Sequence, residues 1–255
     1  MLDLFAIPVL SDNYVWVLHD RRNAIIVDPG DAAPICKVLD RTNLRPAAIL
    51  LTHHHADHVA GTSQLVARYA VPVYGPVDSR VPFITLPVGE GDCIALDAPA
   101  VTLTVLEIPG HTRTHIAYHG HDILFCGDTL FSVGCGRLFE GTAEQLLHSL
   151  DKLSTLSSAT RICCGHEYTL SNCRFAFTIE PNNSSLGKRY AEASILREQQ
   201  LPTLPSSLAQ ERTTNPFLRI DVPAVAAEID RQSAGHTHDR LSRFAYLRKQ
   251  KDEFH

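Results

Sequence analysis

The sequence predicts an α+β protein, with a sheet-rich part up to about residue 168 and a helical part after it. Between residues 13 and 165 the apolar residues form short runs rich in Val, Ile and aromatic side chains, which is typical of strands. Two segments among these runs have helical spacing, so the first part is mixed rather than all-β. Beyond Tyr168 helical spacing dominates, and four prolines between residues 202 and 223 divide it into short helices.

The predicted strands follow one another along the first part. They are YVWVLHD (14–20), AIIVDPG (24–30), AAILLT (47–52), VPVYG (71–75), VTLTVLEIPG (101–110), IAYHG (116–120) and DILFCGDTLF (122–131). The turn DRRN at residues 20–23 joins the first two as a hairpin. Helices are predicted over residues 31–42 and 62–69.

The helical part is predicted from four segments with a 3.6-residue period. They are NCRFAFTIE (172–180), SLGKRYAEASILREQQ (185–200), PAVAAEIDRQ (223–232) and HDRLSRFAYLRKQKDEF (238–254). In the last of them Leu241, Phe244 and Leu247 form one apolar stripe, which is expected to face a core.

The bulk composition limits the function classes. The chain has 44% hydrophobic and 20% charged residues and a formal net charge of -5, which favours small-molecule chemistry over nucleic-acid binding. No apolar run approaches the roughly 20 residues that span a bilayer. The seven cysteines form no CxxC motif, and the first residues do not have the pattern of a secretory signal. We therefore expect a cytoplasmic protein with no nucleic-acid or membrane partner. A monomer is also expected, although no feature of the sequence determines the oligomeric state.

The segment THHHADH at residues 52–58 follows a predicted buried strand and is the first candidate site. His53 and His55 can project to the same side of an extended segment, while Asp57 and His58 follow where a helix begins. Imidazole and carboxylate are ligands that divalent metals such as Zn²⁺ accept. A solvated histidine run without a metal is the common alternative for such a triplet.

Three other apolar runs end in a potential metal ligand, which the solvated alternative does not explain. If these strand ends converge, the candidate ligands are His53, His55, Asp57, His58, His111, Asp128 and His166. Seven ligands exceed the roughly three that one catalytic zinc takes from a protein. We therefore expect two divalent metal ions, Zn²⁺ foremost, although the ligand set also accepts Fe or Mn. Asp128 is the expected bridging carboxylate.

The motifs THHHADH, PGHT, CGDTLF and GHEYT together resemble those of the metallo-β-lactamase superfamily. More narrowly, GCGRLFEGTAEQ, HEYTLSN and the terminal KDEF resemble the glyoxalase II, or hydroxyacylglutathione hydrolase, family. The resemblance covers nearly the whole chain. It implies a catalytic αβ/βα sandwich over residues 1–168, followed by a smaller all-helical domain over residues 169–255 that contacts glutathione.

The resemblance also implies residue roles and a reaction. The first metal would be held by His53, His55 and His111 and the second by Asp57, His58 and His166, with Asp128 between them and Asp57 and Asp128 as the catalytic carboxylates. Glutathione would be contacted by Arg137, Phe139, Tyr168, Arg248 and Lys251. The implied reaction is hydrolysis of S-D-lactoylglutathione, or another S-2-hydroxyacylglutathione, to glutathione and a 2-hydroxy acid by a metal-bridging hydroxide. This is the second step of methylglyoxal detoxification.

Two positions depart from the family pattern. Phe139 stands where family members often have tyrosine, so a hydroxyl contact to glutathione is lost there. Val133 replaces a common glycine, which is expected to stiffen or shift its loop. Without the resemblance, the alternating charges around Arg248 and Lys251 indicate only a solvated helix face.

Several nearby residues are predicted to hold no metal. The side chain of His54 should point away from those of its two neighbours, as in any extended segment. Asp28 is interpreted as a loop-organising or outer-shell carboxylate. Surface or packing roles are predicted for His115, His119 and His121.

Four alternative functions remain open on the sequence. A persulfide dioxygenase with a single iron and a β-lactam hydrolase would share the scaffold, but neither explains the terminal KDEF segment. A metal-binding protein without turnover is disfavoured because all seven ligands are present. A Cys–His nucleophile lacks a specific cysteine motif.

Overall fold

The computed structural model describes residues 2–237 and 239–254. The chain divides into two compact units. The first comprises Met1–Glu107, Thr114–Gly127 and Cys163–Glu167, and the second comprises Ile108–Arg113, Asp128–Ile162 and Tyr168–His255. In the described part, no helix is both long and apolar enough to cross a bilayer.

The first unit contains a six-stranded sheet whose spatial order is also its chain order. Its strands are β1 (Asp3–Val9), β2 (Asn13–His19), β3 (Asn23–Val27), β4 (Arg45–Leu50), β5 (Val73–Gly75) and β6 (Leu86–Pro87). The first three strands pair antiparallel, and β3 to β6 pair parallel. Nearly every residue of β2 and β3 is buried, as the continuous apolar runs predict for strands covered on both faces.

Two helices cover one face of this sheet. Helices α1 (Ala32–Thr42) and α3 (Thr62–Tyr69) bury Ile35, Leu39 and Leu65 in the same core cluster as strand residues of the sheet. Helix α1 begins where the Asp31 side chain accepts a hydrogen bond from the Ala33 amide. Both helices were predicted and are confirmed. Between them lies the short helix α2 (Ala56–Val59).

A second sheet has the order β14-β13-β10-β9-β8-β7. Its strands are β7 (Cys93–Asp97), β8 (Ala100–Glu107), β9 (Ile116–Gly120), β10 (Ile123–Gly127), β13 (Arg161–Cys164) and β14 (Ser206–Ser207). Strand β8 alternates exposed and buried residues, so one of its faces is directed to solvent. The Tyr118 hydroxyl of β9 donates to the Leu51 carbonyl at 2.7 Å, which links this sheet to the first one within the first unit.

The second unit is mainly helical. Its elements are the hairpin β11 (Leu130–Phe131) and β12 (Gly134–Cys135), and the helices α4 (Ala143–Ser154), α5 (Thr169–Phe177), α6 (Ser184–Glu198), α7 (Leu208–Thr214), α8 (Pro223–Gln232) and α9 (Arg240–Glu253). Capping boxes at Thr142 and Asp239 start α4 and α9. The α+β class and the helical final third are confirmed, whereas α4 and α7 were not among the predicted helices.

The predicted apolar stripe of the last helix is right at two of its three positions. Phe244 and Leu247 are fully buried, but Leu241 lies in the first turn of α9 and is 36% exposed. His238, with which the predicted segment begins, lies outside the described residues.

Candidate metal centre

The THHHADH segment follows the carboxyl end of β4 in the first sheet, as predicted. Strand β4 ends at Leu50, His53 is fully buried three residues later, and α2 starts at Ala56 and carries Asp57 and His58. A glycine allows this turn to pack closely. A Cβ added to Gly30 would lie 1.9 Å from the Asp57 carbonyl oxygen. The turn therefore requires a residue without a side chain at position 30.

The potential metal-binding atoms of Asp57, His58 and His166 form a triangle in the first unit, which we call the donor triangle. His58 Nε2 and His166 Nε2 are 3.3 Å apart, and Asp57 Oδ2 lies 3.4 Å from the first and 3.3 Å from the second. Donor atoms bound about 2.0 Å from a tetrahedral Zn²⁺ lie about 3.3 Å from one another. The spacing of these three atoms therefore fits one metal ion.

The tautomers of His58 and His166 are those that could bind a metal ion through Nε2. His58 Nδ1 lies 3.0 Å from Asp28 Oδ2, and His166 Nδ1 lies 2.7 Å from Asp12 Oδ1. A carboxylate oxygen only accepts, so each Nδ1 carries the hydrogen and each Nε2 presents a lone pair to the triangle. Two such lone pairs and a carboxylate facing one another repel unless a cation lies between them.

Asp57 is held in its ionised form. Burial alone would raise the pKa of its carboxyl group, but the contacts with His166, His58 and Asn13 outweigh burial and hold the pKa below its ordinary value. An ionised carboxylate is the form that binds a metal.

His53 and His55 lie beside this triangle. The His53 ring centroid is 4.2 Å from that of His58 and 4.7 Å from that of His55. Thr52 Oγ1 lies 3.0 Å from His53 Nδ1 and also donates to Asp28 at 2.7 Å. Asp28 thus organises the loop and contacts His58, in agreement with its predicted role as a supporting carboxylate.

The other two predicted ligands meet in the second unit. His111 Nε2 lies 3.4 Å from Asp128 Oδ2, and both side chains are largely buried. His111 Nδ1 lies 2.9 Å from the Arg137 carbonyl, which only accepts and therefore directs the lone pair of His111 Nε2 toward Asp128. A Cβ on Gly136 would lie 1.9 Å from the Asp128 carbonyl oxygen, so glycine is required there as well.

The second unit also gathers the predicted cationic residues at the end of α9. Asp252 Oδ1 lies 3.2 Å from Arg137 Nε and 3.1 Å from Arg248 Nη2. Arg248 is only 4% exposed and donates to the Cys135 carbonyl at 2.5 Å. Lys251 Nζ lies 3.3 Å from Ser171 Oγ. Arg248 and Lys251 are thus not on a solvated helix face, which is what their charge pattern alone had indicated.

The surroundings of Lys251 favour its neutral form. Burial, followed by the charges of Arg248 and Arg137, lowers the pKa of Lys251 to about 8. Its cation–π contacts with Phe175 and Phe254, 5.7 and 5.4 Å from the ring centroids, act in the opposite direction and favour the charged form.

The two predicted aromatic contacts have different environments. Tyr168 packs its ring edge-on against Phe131, with 5.2 Å between centroids. Phe139 is 64% exposed, and its ring meets that of His111 at 5.2 Å. The side chain of Phe139 therefore keeps a packing contact with a predicted metal ligand although it lacks a hydroxyl.

Val133 has a backbone conformation that favours glycine. Its φ is 59°, in the left-handed region where a β-branched residue is strained. Its amide donates to Glu211 Oε2 at 2.7 Å, and Asn215 Nδ2 donates to the carbonyls of Phe131 and Gly134 at 3.1 and 2.9 Å. These buried hydrogen bonds hold the hairpin in spite of the strain.

Three other histidines lie near the site or on the surface, and His54 differs from its prediction, because its ring points away from that of His53 but meets that of His55 edge-on with 4.8 Å between centroids. His54 Nδ1 lies 3.6 Å from Asp78 Oδ2, away from the donor triangle. His115 is buried and stacks on His53 with 4.6 Å between centroids. His121 is exposed and accepts from the Thr102 amide at 3.3 Å.

Sequence reasoning missed two residues beside the triangle. Asp12 contacts His166, as described above, and Asn13 Nδ2 donates to Asp57 Oδ2 at 2.8 Å. Both belong to the motif SDNY near the start of the chain, 44 residues or more from their partners. Their only sequence signal is a pair of polar side chains at the tip of a predicted strand.

Comparisons with known proteins cover the whole chain. The model of the metallo-beta-lactamase superfamily matches residues 9–166, and the model of the hydroxyacylglutathione hydrolase C-terminus matches residues 167–254. A hydroxyacylglutathione hydrolase of Nitrosomonas eutropha is 47% identical over 254 residues, with 100% of both chains covered. One of Alkalilimnicola ehrlichii is 48% identical over 255 residues and covers 99% of this chain and 100% of its own.

The chain belongs to the hydroxyacylglutathione hydrolase family. Solved structures show the same fold at lower identity. ETHE1 from Myxococcus xanthus has a TM-score of 0.65 at 23% identity, with 100% of both chains covered. TTHA1623 in a di-iron-bound form has a TM-score of 0.61 at 26% identity and covers 84% of this chain and 100% of its own. The family match over the whole chain thus distinguishes this hydrolase from other proteins on the shared scaffold.

Proposed function

We propose that this hydroxyacylglutathione hydrolase family member cleaves S-D-lactoylglutathione, or related S-2-hydroxyacylglutathiones, to glutathione and a 2-hydroxy acid such as D-lactate, the second step of methylglyoxal detoxification. The observation that carries metal-dependent hydrolysis is the triangle of Asp57, His58 and His166, whose 3.3–3.4 Å edges suit one divalent ion. The thioester substrate follows from the names of the full-length relatives.

The proposed centre holds two divalent ions, Zn²⁺ foremost, with Fe or Mn as alternatives. The proposed ligands are His53, His55 and His111 for the first ion, Asp57, His58 and His166 for the second, and Asp128 for both. Bound divalent metals supply a Lewis acid and lower the pKa of water toward neutrality. Asp57 and Asp128 contribute the negative charge that offsets the cations.

The proposed glutathione contacts are Arg137, Phe139, Tyr168, Arg248 and Lys251. Glutathione carries two carboxylates, and the cations around Asp252 offer charge-assisted hydrogen bonds to them. The proposed division is a catalytic domain over residues 1–168 and a helical, glutathione-contacting domain over residues 169–255. We further propose a monomer in the cytoplasm, a compartment in which the seven free cysteines stay reduced.

The test of this proposal is the loss of thioester absorbance of S-D-lactoylglutathione, with and without prior chelation. Hydrolysis that requires metal supports it. Turnover of a β-lactam, or oxygen uptake on glutathione persulfide, without thioester hydrolysis would contradict it and favour another enzyme on the same scaffold.

Replacing Arg248 by alanine is expected mainly to raise KM for S-D-lactoylglutathione, by about 10-fold to 100-fold. A contact remote from the thioester is made equally in the ground and transition states, so its loss leaves kcat nearly unchanged. Steady-state kinetics measures both constants. A large fall in kcat at unchanged KM would contradict the substrate-binding role.

The pH dependence of KM is expected to report Lys251. Its folded pKa of about 8 lies below its ordinary value of 10.5, so its positive charge is present below pH 8 and is lost as the pH rises through 8. Binding of anionic glutathione should weaken accordingly, with KM rising between pH 7 and 9. In Lys251→Arg the charge persists, so this rise should disappear; an identical profile in both proteins would contradict the assignment.

A further inference from the structure

The turn between β1 and β2 is fixed to the loop that carries His166. The Tyr14 amide donates to the Gly165 carbonyl at 2.8 Å, and the Glu167 amide donates to the Asp12 carbonyl at 2.9 Å. The Tyr14 hydroxyl also donates to Glu167 Oε2 at 2.8 Å. Because backbone hydrogen bonds hold residues 12–14 and 165–167 in register, the side chains of residues 12 and 13 have fixed positions beside the donor triangle.

Asp12 of this turn and Asn13, the first residue of β2, both contact the triangle, and Asn13 Nδ2 also lies 3.5 Å from His166 Nε2. Asp12 Oδ1 lies 2.7 Å from His166 Nδ1, the nitrogen opposite the one that faces the triangle. Asn13 is 5% exposed, and its Nδ2 donates to Asp57 Oδ2 at 2.8 Å. The motif SDNY thus reaches two of the three donors at once.

These contacts act on the metal through its ligands. The Asp12 carboxylate accepts the Nδ1 hydrogen of His166, which selects the tautomer with a lone pair on Nε2 and fixes the plane of the ring. The Asn13 amide holds the carboxylate of Asp57 with Oδ2 3.3–3.4 Å from both imidazoles. Asp28 supports His58 in the same way, so each of the three donors has a hydrogen-bonding partner of its own.

We infer that Asp12 and Asn13 are positioning residues of the second metal site, which set the affinity of the Asp57–His58–His166 triangle for its ion. The inference rests on the proposed binuclear site. It assigns a function to the SDNY motif, which the family resemblance left without one. A purely structural role, in which the turn only anchors the 165–167 loop, is the alternative, and it predicts a loss of stability without a selective loss of one ion.

The experiment measures zinc retained per chain after dialysis against graded concentrations of a chelator. Asp12→Ala and Asn13→Ala should release one of two zinc ions at a chelator concentration about 10-fold to 100-fold lower than the unchanged protein requires. Asp12→Asn should lie between, because its amide oxygen still accepts from Nδ1 but carries no charge. Asp3→Ala is the matched control, since Asp3 is a carboxylate of the same hairpin whose ion pair is with Arg21.

The second readout is the thermal unfolding temperature of the metal-free proteins. Release of zinc from Asp12→Ala at the same chelator concentration as from the unchanged protein would overturn the inference. So would the release of both ions in parallel with a lowered unfolding temperature. If Asp12→Ala does not fold, Asp12→Asn and Asn13→Ala give the same comparison.

The readout does not depend on hydrolysis. A two-zinc protein without thioesterase activity would refute the proposed function and leave the comparison of zinc retention valid. Normal hydrolysis with unchanged zinc retention in the Asp12 and Asn13 variants would refute only the positioning role.

Discussion

Replacing Asp57 by alanine is expected to lower kcat/KM for S-D-lactoylglutathione by about 10²-fold to 10³-fold, with loss of one bound metal ion. Asp57 supplies the only carboxylate of the donor triangle, and its Oδ2 lies 3.3–3.4 Å from both imidazole nitrogens. Without it, His58 and His166 present two neutral lone pairs to the ion, and only the proposed bridging carboxylate of Asp128 is left to offset its charge. Steady-state kinetics and metal content per chain measure the two effects.

Asp40→Ala is a suitable control for that variant. Asp40 is a carboxylate of the same unit, and it is paired with Arg68 on the surface at 2.7 Å, so neither activity nor metal content should change. An Asp57→Ala protein that kept two ions and the kcat/KM of the unchanged protein would show that the triangle is not a metal site.

Replacing Asp28 by alanine is expected to lower the free energy of unfolding by about 3 kcal/mol. Asp28 is buried and accepts from the amide and the hydroxyl of Thr52 at 2.8 and 2.7 Å, and it contacts His58 Nδ1 at 3.0 Å. Its removal leaves three buried polar groups without their partner. Urea unfolding of the metal-free protein measures the loss.

The control for Asp28→Ala is Asp31→Ala, which removes only the side-chain cap of α1 and should lower the free energy of unfolding by about 1 kcal/mol. Zinc-loaded Asp28→Ala should also release one ion more readily, because His58 loses the partner that orients it. A loss of stability no larger than that of Asp31→Ala would contradict the account of this buried network.

The convergence of Asp57, His58 and His166 could be predicted from the sequence because each of them follows an apolar run. Strand β4 delivers the THHHADH segment and β13 delivers His166, and strands of one domain end at common edges. The alternation expected of an extended segment holds only in part within THHHADH, because the ring of His54 is 6.4 Å from that of His53 but only 4.8 Å from that of His55. His54 lies beside Asp78.

Asp12 and Asn13 could not be predicted in the same way. Their partners are 154 and 44 residues away, and the contact arises from backbone pairing between a hairpin turn and a loop, which leaves no periodic signal. The burial of Arg248 was also not predictable, because a charged residue among charged neighbours on a terminal helix indicates exposure unless its tertiary partners are known. Helix α4 was missed although its capping box, Thr142 with Gln145, was readable.

The most direct test of the account is a metal titration of the metal-free protein, with S-D-lactoylglutathione hydrolysis measured at each added equivalent of zinc. The account predicts no hydrolysis without metal, activity that appears as zinc binds, and saturation by two ions per chain. A protein that binds two zinc ions and shows no thioester hydrolysis would contradict it.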